Sequence, residues 1–345
     1  MKKLLLTSIL VLTFCFLGVY TSQGQQFVIK FGHNDPANME VTKLDYAVYL
    51  KNFVEAKTEG KVRVDIFPAE QLGGERETVE GTKMGTIQMT SISDTVFAGF
   101  VPEMLCLGYP YAFFNEQAVY NFWEGPMGQR LTRLILEKLG TRVVGFGDLG
   151  FRNFTNSKRP IRTPDDMGGL KFRIREVATD VAFIKALGAT ATLITWGETY
   201  TALQQGVVDG QENPIGTISY GKIYEVNKHV TLDGHVYSTH MVLINEKFYQ
   251  SLPAEFKQVI KEGALLGTNV ARGIATLYNY QKLSFLKEKG MIITPLTFEQ
   301  KQLFVKKAQP AAQELIVAKV GKAFFDDFEK ALAKANADAL SEIKP

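Results

Sequence analysis

From Pro253 to about Gly290 the chain contains no further proline, and Phe256, Ile260, Gly263, Gly267, Val270, Ile274, Leu277 and Phe285 follow a helical stripe. At ~1.5 Å per residue a helix of that extent is roughly 50 Å long, beyond the span of one small domain. A chain that builds it is expected to set two bodies along it. Gly263, Gly267 and Gly273 are positions at which such a helix could bend. Two helices with an unmarked break are the alternative. A length of 345 residues, 46% hydrophobic and 22% charged, suits two domains with ample core.

The earlier chain alternates between two periodicities. Phe27 to Phe31 reads as a strand, ending in the polar loop Gly32-His33-Asn34-Asp35-Pro36. Leu44, Ala47, Val48 and Phe53 then give a helix up to Gly60. Val62 to Phe67 alternates as a second strand, the loop Gln71 to Glu75 feeds another helix, and Thr86 to Met89 is a third strand. Strand, helix, strand, helix predicts a parallel sheet with helices on its faces. Ligands of such sheets sit beyond the carboxyl ends of the strands, which places His33, Asn34, Gln71, Glu75 and Ser91 to Asp94 on one rim.

One pattern occurs twice. Glu77-Thr78, six residues, Gly85, one residue, Ile87-Gln88 is matched 121 positions later by Glu198-Thr199, six residues, Gly206, one residue, Val208-Asp209. Each copy follows an alternating apolar strand, Val62 to Phe67 or Ala191 to Thr195. The repeat predicts two α/β lobes of related design. Val143 to Phe146 reads as a buried strand, and Gly145, Gly147 and Gly150 punctuate a crossover near Asp148.

The amino terminus has the signature of an export signal. Lys2-Lys3 precedes an apolar run from Leu4 to Tyr20, and small residues at Ser22 and Gly24 predict cleavage after about Gly24. The formal net charge of +3 falls to +1 once Lys2 and Lys3 are removed, so no electrostatic case exists for nucleic acid. Cys15 lacks the small residues that precede a lipidated cysteine. Cys106, the other cysteine, reads as a small buried hydrophobe.

The segment Thr163 to Arg175, TPDDMGGLKFRIR, ends in a strand whose Lys171, Arg173 and Arg175 share one face. Arginine offers a carboxylate a planar fork of donors and stays charged. No catalytic residue, metal site or cofactor is assigned. His33, His229, His235 and His240 lack metal-binding helix spacing, and no nucleophile elbow, phosphate loop or paired thiolates occur.

Ser157 to Ile161, Thr163 to Arg173 and above all the run from Trp196 to Pro214, with its ALQQGVVDGQENP, resemble the DctP-like substrate-binding proteins of TRAP (tripartite ATP-independent periplasmic) transporters. The similarity covers essentially the whole chain after the signal. It implies an α/β, two-lobed periplasmic binding protein of the hinged, Venus-flytrap type, with the long helix spanning both lobes. The expected division is a signal peptide over 1–24, a first lobe of 25–148 plus about 238–275, and a second lobe of 149–237 plus about 276–345.

The resemblance implies that Arg173 binds a ligand carboxylate, that Arg152 is a second ligand arginine, and that Asn213 supplies an amide and Trp196 a cleft wall. Asn34 and Glu75 match first-lobe positions that meet polar parts of the ligand in some members. Ser93 stands where the sialic-acid-binding branch has glutamate, which speaks against sialic acid and leaves a smaller sugar acid or a keto, hydroxy or dicarboxylic acid open. Because Arg173 and Arg152 are expected to face a cleft, removing either should leave folding unaffected. The implied partners are a small carboxylate and the membrane permease subunits of a TRAP transporter, with a monomer in the periplasm. A ligand-sensing protein signalling to a receptor, or an exported enzyme on this fold, are the competing classes.

Overall fold

The computed structural model of the chain describes residues 27–343 apart from Met39. The expected signal peptide and Cys15 lie outside the described residues. In chain order the elements are β1 (Phe27–His33), α1 (Thr42–Lys57), β2 (Val62–Phe67), α2 (Glu75–Met84), β3 (Met89–Ser93), α3 (Glu116–Glu124), α4 (Pro126–Leu139) and β4 (Thr141–Asn156). There follow β5 (Lys171–Ile174), α5 (Ala178–Ala186), β6 (Thr190–Leu193), α6 (Trp196–Gln204), β7 (Gly210–Asn213) and α7 (Ile215–Tyr220). The last are β8 (His229–Asn245), α8 (Glu246–Ser251), α9 (Ala254–Glu288), β9 (Ile292–Pro295), α10 (Phe298–Val320) and α11 (Lys322–Ile343).

The strands form one sheet in the order β2-β1-β3-β8-β4-β7-β5-β6, with β9 added to β8. Its halves mirror each other. In the first, β1 lies parallel between β2 and β3, and β3 runs antiparallel to β8. In the second, β5 lies parallel between β6 and β7, and β7 runs antiparallel to β4. The repeat seen in the sequence is this symmetry, since α2 leads into β3 and α6 into β7. Gly85 (φ 82°) and Gly206 (φ 69°) both take the left-handed conformation that ends each helix, where a side chain would be strained. Because that cap consumes Thr86 to Gln88, with the Thr86 and Ile87 amides bonded to the Gly81 carbonyl, the third strand begins at Met89 and not at Thr86. The sheet is mixed where a parallel one was expected, because two strands run through both lobes in opposite directions.

Those strands, β4 and β8, pair with each other along most of their length. The pairing slips at three places, between Val143 and Gly145, Asp148 and Gly150, and Arg152 and Phe154. Such bulges bend a ladder locally.

Each half has its own core. Ile29, Phe31, Val62 and Val64 of the first pack with Leu50 and Val54 of α1 and with Phe256, Ile260, Ala264 and Ala271 of α9. Leu286, near the other end of α9, packs with Leu203, Val208 and Ile218 of the second half. One unbroken helix of 35 residues thus serves both, as its stripe predicts. Gly263 and Gly267 let α1 approach it closely: a Cβ on Gly267 would sit 3.1 Å from the Tyr46 ring, and one on Gly263 3.2 Å from Phe53 and Val54. Only Gly273, with nothing within 4 Å, keeps the open surroundings expected of a bending point.

The carboxyl-terminal helix α11, grouped by the sequence with the second lobe, packs Phe325, Phe328 and Leu332 among Phe97, Phe122 and Leu131 of the first. Cys106 is buried in that same cluster, where burial pushes its thiol up to about 12. Among the described residues no helix is long and apolar enough to cross a membrane.

Candidate functional site

The carboxyl ends of β1, β3, β5 and β7 converge between the two halves of the sheet. There a cavity of about 320 Å³ is lined by Asn34, Glu75 and Ser93 from the first half and Arg152, Arg173, Trp196 and Asn213 from the second, which are the seven residues singled out from the sequence. Asp35, Lys43, Arg175, Thr217 and Tyr220 line it as well. A second space shares Asn34, Glu75, Arg173, Arg175 and Trp196 with it.

The second lobe contributes three guanidinium groups, and they differ in what holds them. Arg152, 2% exposed, forms an ion pair with Glu212 through Nε and Nη2, and Nη2 also donates to the Glu212 carbonyl at 2.7 Å. Glu212 in turn accepts from His235 Nε2 at 3.2 Å, and His235 Nδ1 lies 2.8 Å from Asp233. The Tyr111 hydroxyl donates to Asp233 at 3.1 Å, which extends this chain of hydrogen bonds by one more group. Burial opposes charge on His235, but Asp233 and Glu212 outweigh it and raise the imidazole to about 9. Burial also works against the Glu212 carboxylate, which Arg152 and Arg175 hold well below the usual range.

Arg175 pairs with Asp180 at 2.9 Å and donates from Nη1 to Thr95 of the first half at 2.7 Å, so it ties the two halves together. Arg173 stands apart. Its Nε donates to the Ile194 carbonyl at 2.8 Å, its guanidinium carbon lies 5.9 Å from the Trp196 ring, and among the described residues no carboxylate lies within ion-pair distance. Burial pulls Arg173 down to about 10, with Glu212 opposing and the neighbouring Arg152 and Arg175 adding to the fall. A cation 3% exposed and left without a counterion is costly unless an anion joins it.

Asn213, at the end of β7, donates through Nδ2 to Gln211 Oε1 at 2.6 Å, which leaves its carbonyl oxygen for the cavity. Trp196, first residue of α6, stands edge-on to Tyr220 with ring centroids 6.2 Å apart. It is half-buried and lines the cavity beside Arg173.

The first lobe is organised by Lys43 of α1, which is fully buried. Its Nζ donates to Asn34 Oδ1 at 2.5 Å and to Glu75 Oε1 at 3.0 Å, and Asp35 Oδ2 lies at 3.7 Å. Glu75 Oε1 also accepts from the Ser93 amide at 2.8 Å and the Ser93 hydroxyl at 2.9 Å. Burial alone would push the Glu75 carboxyl up, but Lys43 and Ser93 outweigh it and bring it down to about 2. Its position at the first turn of α2 adds the favourable end of the helix dipole. Burial raises Asp35, with Lys43 pulling the other way.

Two expectations change with this geometry. Arg152 is built into a buried ion pair and is not a cleft side chain that can be removed without cost to folding. The cationic face of β5 is also divided, since Lys171 is exposed while Arg173 and Arg175 are buried in the cavity wall. Sequence reasoning missed Lys43, Asp35, Tyr220 and the role of Arg175. The Asn-Asp-Pro turn after β1 marked Asp35 only as loop, and Lys43 sits next to an apolar stripe where a lysine reads as solvated.

Comparison with known proteins agrees with this architecture. Residues 31–319 match the family described as bacterial extracellular solute-binding protein, family 7. A solute-binding protein of Verminephrobacter eiseniae is 37% identical over 240 residues, 70% of this chain and 71% of its own. The sugar acid binding protein DctPAm of Advenella mimigardefordensis, solved in complex with galactonate, is similar with a TM-score of 0.85 at 30% identity, covering 89% of this chain and 98% of that one. A TRAP periplasmic solute binding protein of Sulfurospirillum deleyianum with bound succinate gives a TM-score of 0.83 at 30% identity, over 88% and 98%.

Proposed function

Because the chain belongs to the bacterial extracellular solute-binding protein family 7, we propose that it captures a small organic acid through Arg173 and hands it to the membrane subunits of a TRAP-type transporter. The observation that carries this is the unpaired Arg173. Among the described residues Lys43, Arg152 and Arg175 each have a carboxylate of their own, so Arg173, the guanidinium left over in the cavity, is where a ligand carboxylate completes the charge balance. Asn213 and the Trp196 ring flank that position, and the similar proteins solved with galactonate and succinate hold acids. Export to the periplasm agrees with the basic and apolar amino terminus. The ligand is released unchanged, as fits a member of a family of solute-binding proteins.

Titration calorimetry on Arg173→Ala, with Lys171→Ala as the exposed control, tests this. Loss of the only counterion to a desolvated carboxylate costs ~3 to 5 kcal/mol, about two to four orders of magnitude in affinity. Arg173→Lys recovers part, since an ammonium cannot reproduce the planar fork. The acid must lose far more than its methyl ester. Equal losses for both, or unchanged affinity for the acid, would remove Arg173 from the site.

A further inference from the structure

The two walls of the cavity differ in what they can accept. Among the described residues the second-lobe wall offers one unpaired cation, Arg173. The first-lobe wall offers none, because Lys43 is already matched by Glu75 and by the nearby Asp35. It offers acceptors in their place. All the hydrogen bonds that Glu75 receives among the described residues fall on Oε1, from Lys43 and Ser93, and Oε2 is left facing the cavity. Among the described residues Asp35 Oδ2, in a residue 3% exposed, has no donor at full hydrogen-bond distance, the Lys43 ammonium standing 3.7 Å away. Carboxylate oxygens left short of donors at a cavity call for a ligand that brings hydroxyl groups to them. A second carboxylate in the same place would face the Glu75 anion without a free cation to balance it, since Arg152 and Arg175 are bound to Glu212 and Asp180.

We propose that Glu75, backed by Asp35, is a charge filter that selects polyhydroxy monocarboxylates and rejects dicarboxylates of the same chain length. This rests on the carboxylate contact at Arg173 proposed above. The acid end goes to the second lobe and the hydroxylated end to the first, where Glu75 Oε2 and Asp35 Oδ2 accept from it. Replacing Glu75 by glutamine removes the anion and frees the Lys43 ammonium for a second carboxylate.

The test uses pairs of acids that differ only in whether the last carbon is a hydroxymethyl or a carboxylate: threonate and tartrate, gluconate and glucarate, galactonate and galactarate. Calorimetry on the wild-type protein should show, in every pair with a binding member, the monocarboxylate tighter by about two orders of magnitude, the scale of a desolvated like-charge contact. In Glu75→Gln the ratio should shrink at least about tenfold, with part of the change a gain for the dicarboxylate. Asp35→Asn should narrow it less, and thermal denaturation without ligand establishes that each variant is folded. If Glu75→Gln does not fold, the wild-type ratios and Asp35→Asn decide. Equal or tighter binding of dicarboxylates by the wild type, or a ratio unchanged in a folded Glu75→Gln, overturns the filter while leaving Arg173 in place, provided Arg173→Ala still loses its acid. Acids held as tightly by Arg173→Ala as by the wild type, or no binding by any member of the panel, overturn the carboxylate contact and the filter with it.

Discussion

Replacing Arg152 by alanine leaves Glu212 buried without its main counterion, and the expected cost to folding is ~3 to 5 kcal/mol. Arg173→Ala removes a cation that has no counterion among the described residues, so urea denaturation of the ligand-free protein should show little loss there and a large one for Arg152. Similar midpoints for the two variants would contradict the division of labour between them. His235 gives a second prediction. Its imidazole is raised from an ordinary 6.5 to about 9 in the folded protein, so the stabilisation it supplies is complete below pH 6.5 and fades as pH rises through 9. The stability difference between wild type and His235→Gln, followed by urea midpoints from pH 6 to 10, should shrink over that window. A pH-independent difference would mean that His235 binds no extra proton between its two carboxylates. The second-lobe part of the cavity lining was legible because β5, α6 and β7 carry the run of residues through which the chain resembles its family. The pairing of Glu212 with Arg152, and the carboxylate cluster around Lys43, were not. They depend on which strands become neighbours, and a buried lysine has the same sequence appearance as a solvated one until its partners are placed.

Helix α9 separates two uses of glycine that look alike in a sequence. At Gly267 an added methyl meets a Tyr46 ring fixed in the core, and overpacking of this kind costs ~1 to 3 kcal/mol. At Gly273 the methyl meets nothing, and replacing glycine in a helix interior gains ~0.4 to 1 kcal/mol, mainly from the unfolded chain. Gly267→Ala should therefore lower the melting temperature and Gly273→Ala raise it; the same sign for both would dismiss the close-approach account. The length of α9, the repeated helix-to-strand unit and most strand positions followed from periodicity and glycine. The mixed direction of the sheet did not, because β4 and β8 each read as an ordinary strand, and nothing local tells that they are shared.

At the scale of the molecule the two halves are joined by β4 and β8, by the Arg175 contact to Thr95, and by α9, where Asn279 holds both the Leu149 carbonyl and the Gly216 amide. The bulge at Asp148 and Gly150 lies in this joint, with Gly150 at a φ of 110° against the Asn279 side chain. A ligand that touches both walls favours the closed arrangement by the contacts it makes only there. Small-angle scattering should show a smaller radius of gyration when a tight-binding acid is added, and an unchanged curve at saturation would indicate a rigid cavity.

The shared strands also govern the order in which the chain can fold. The buried edge of β3, Met89–Ser93, finds its partner only in residues 240–244, about 150 positions later. β4 likewise needs β8 on one side, so neither half can be completed from the residues that precede position 229. Pairings of such separation delay folding, because the long intervening loop must close before they contribute anything. A fragment ending at residue 228 should lack the amide-exchange protection of a folded lobe, whereas the full chain regains it in one cooperative step. A chain emerging amino end first stays open until β8 is free, and folding lobe by lobe is closed to it.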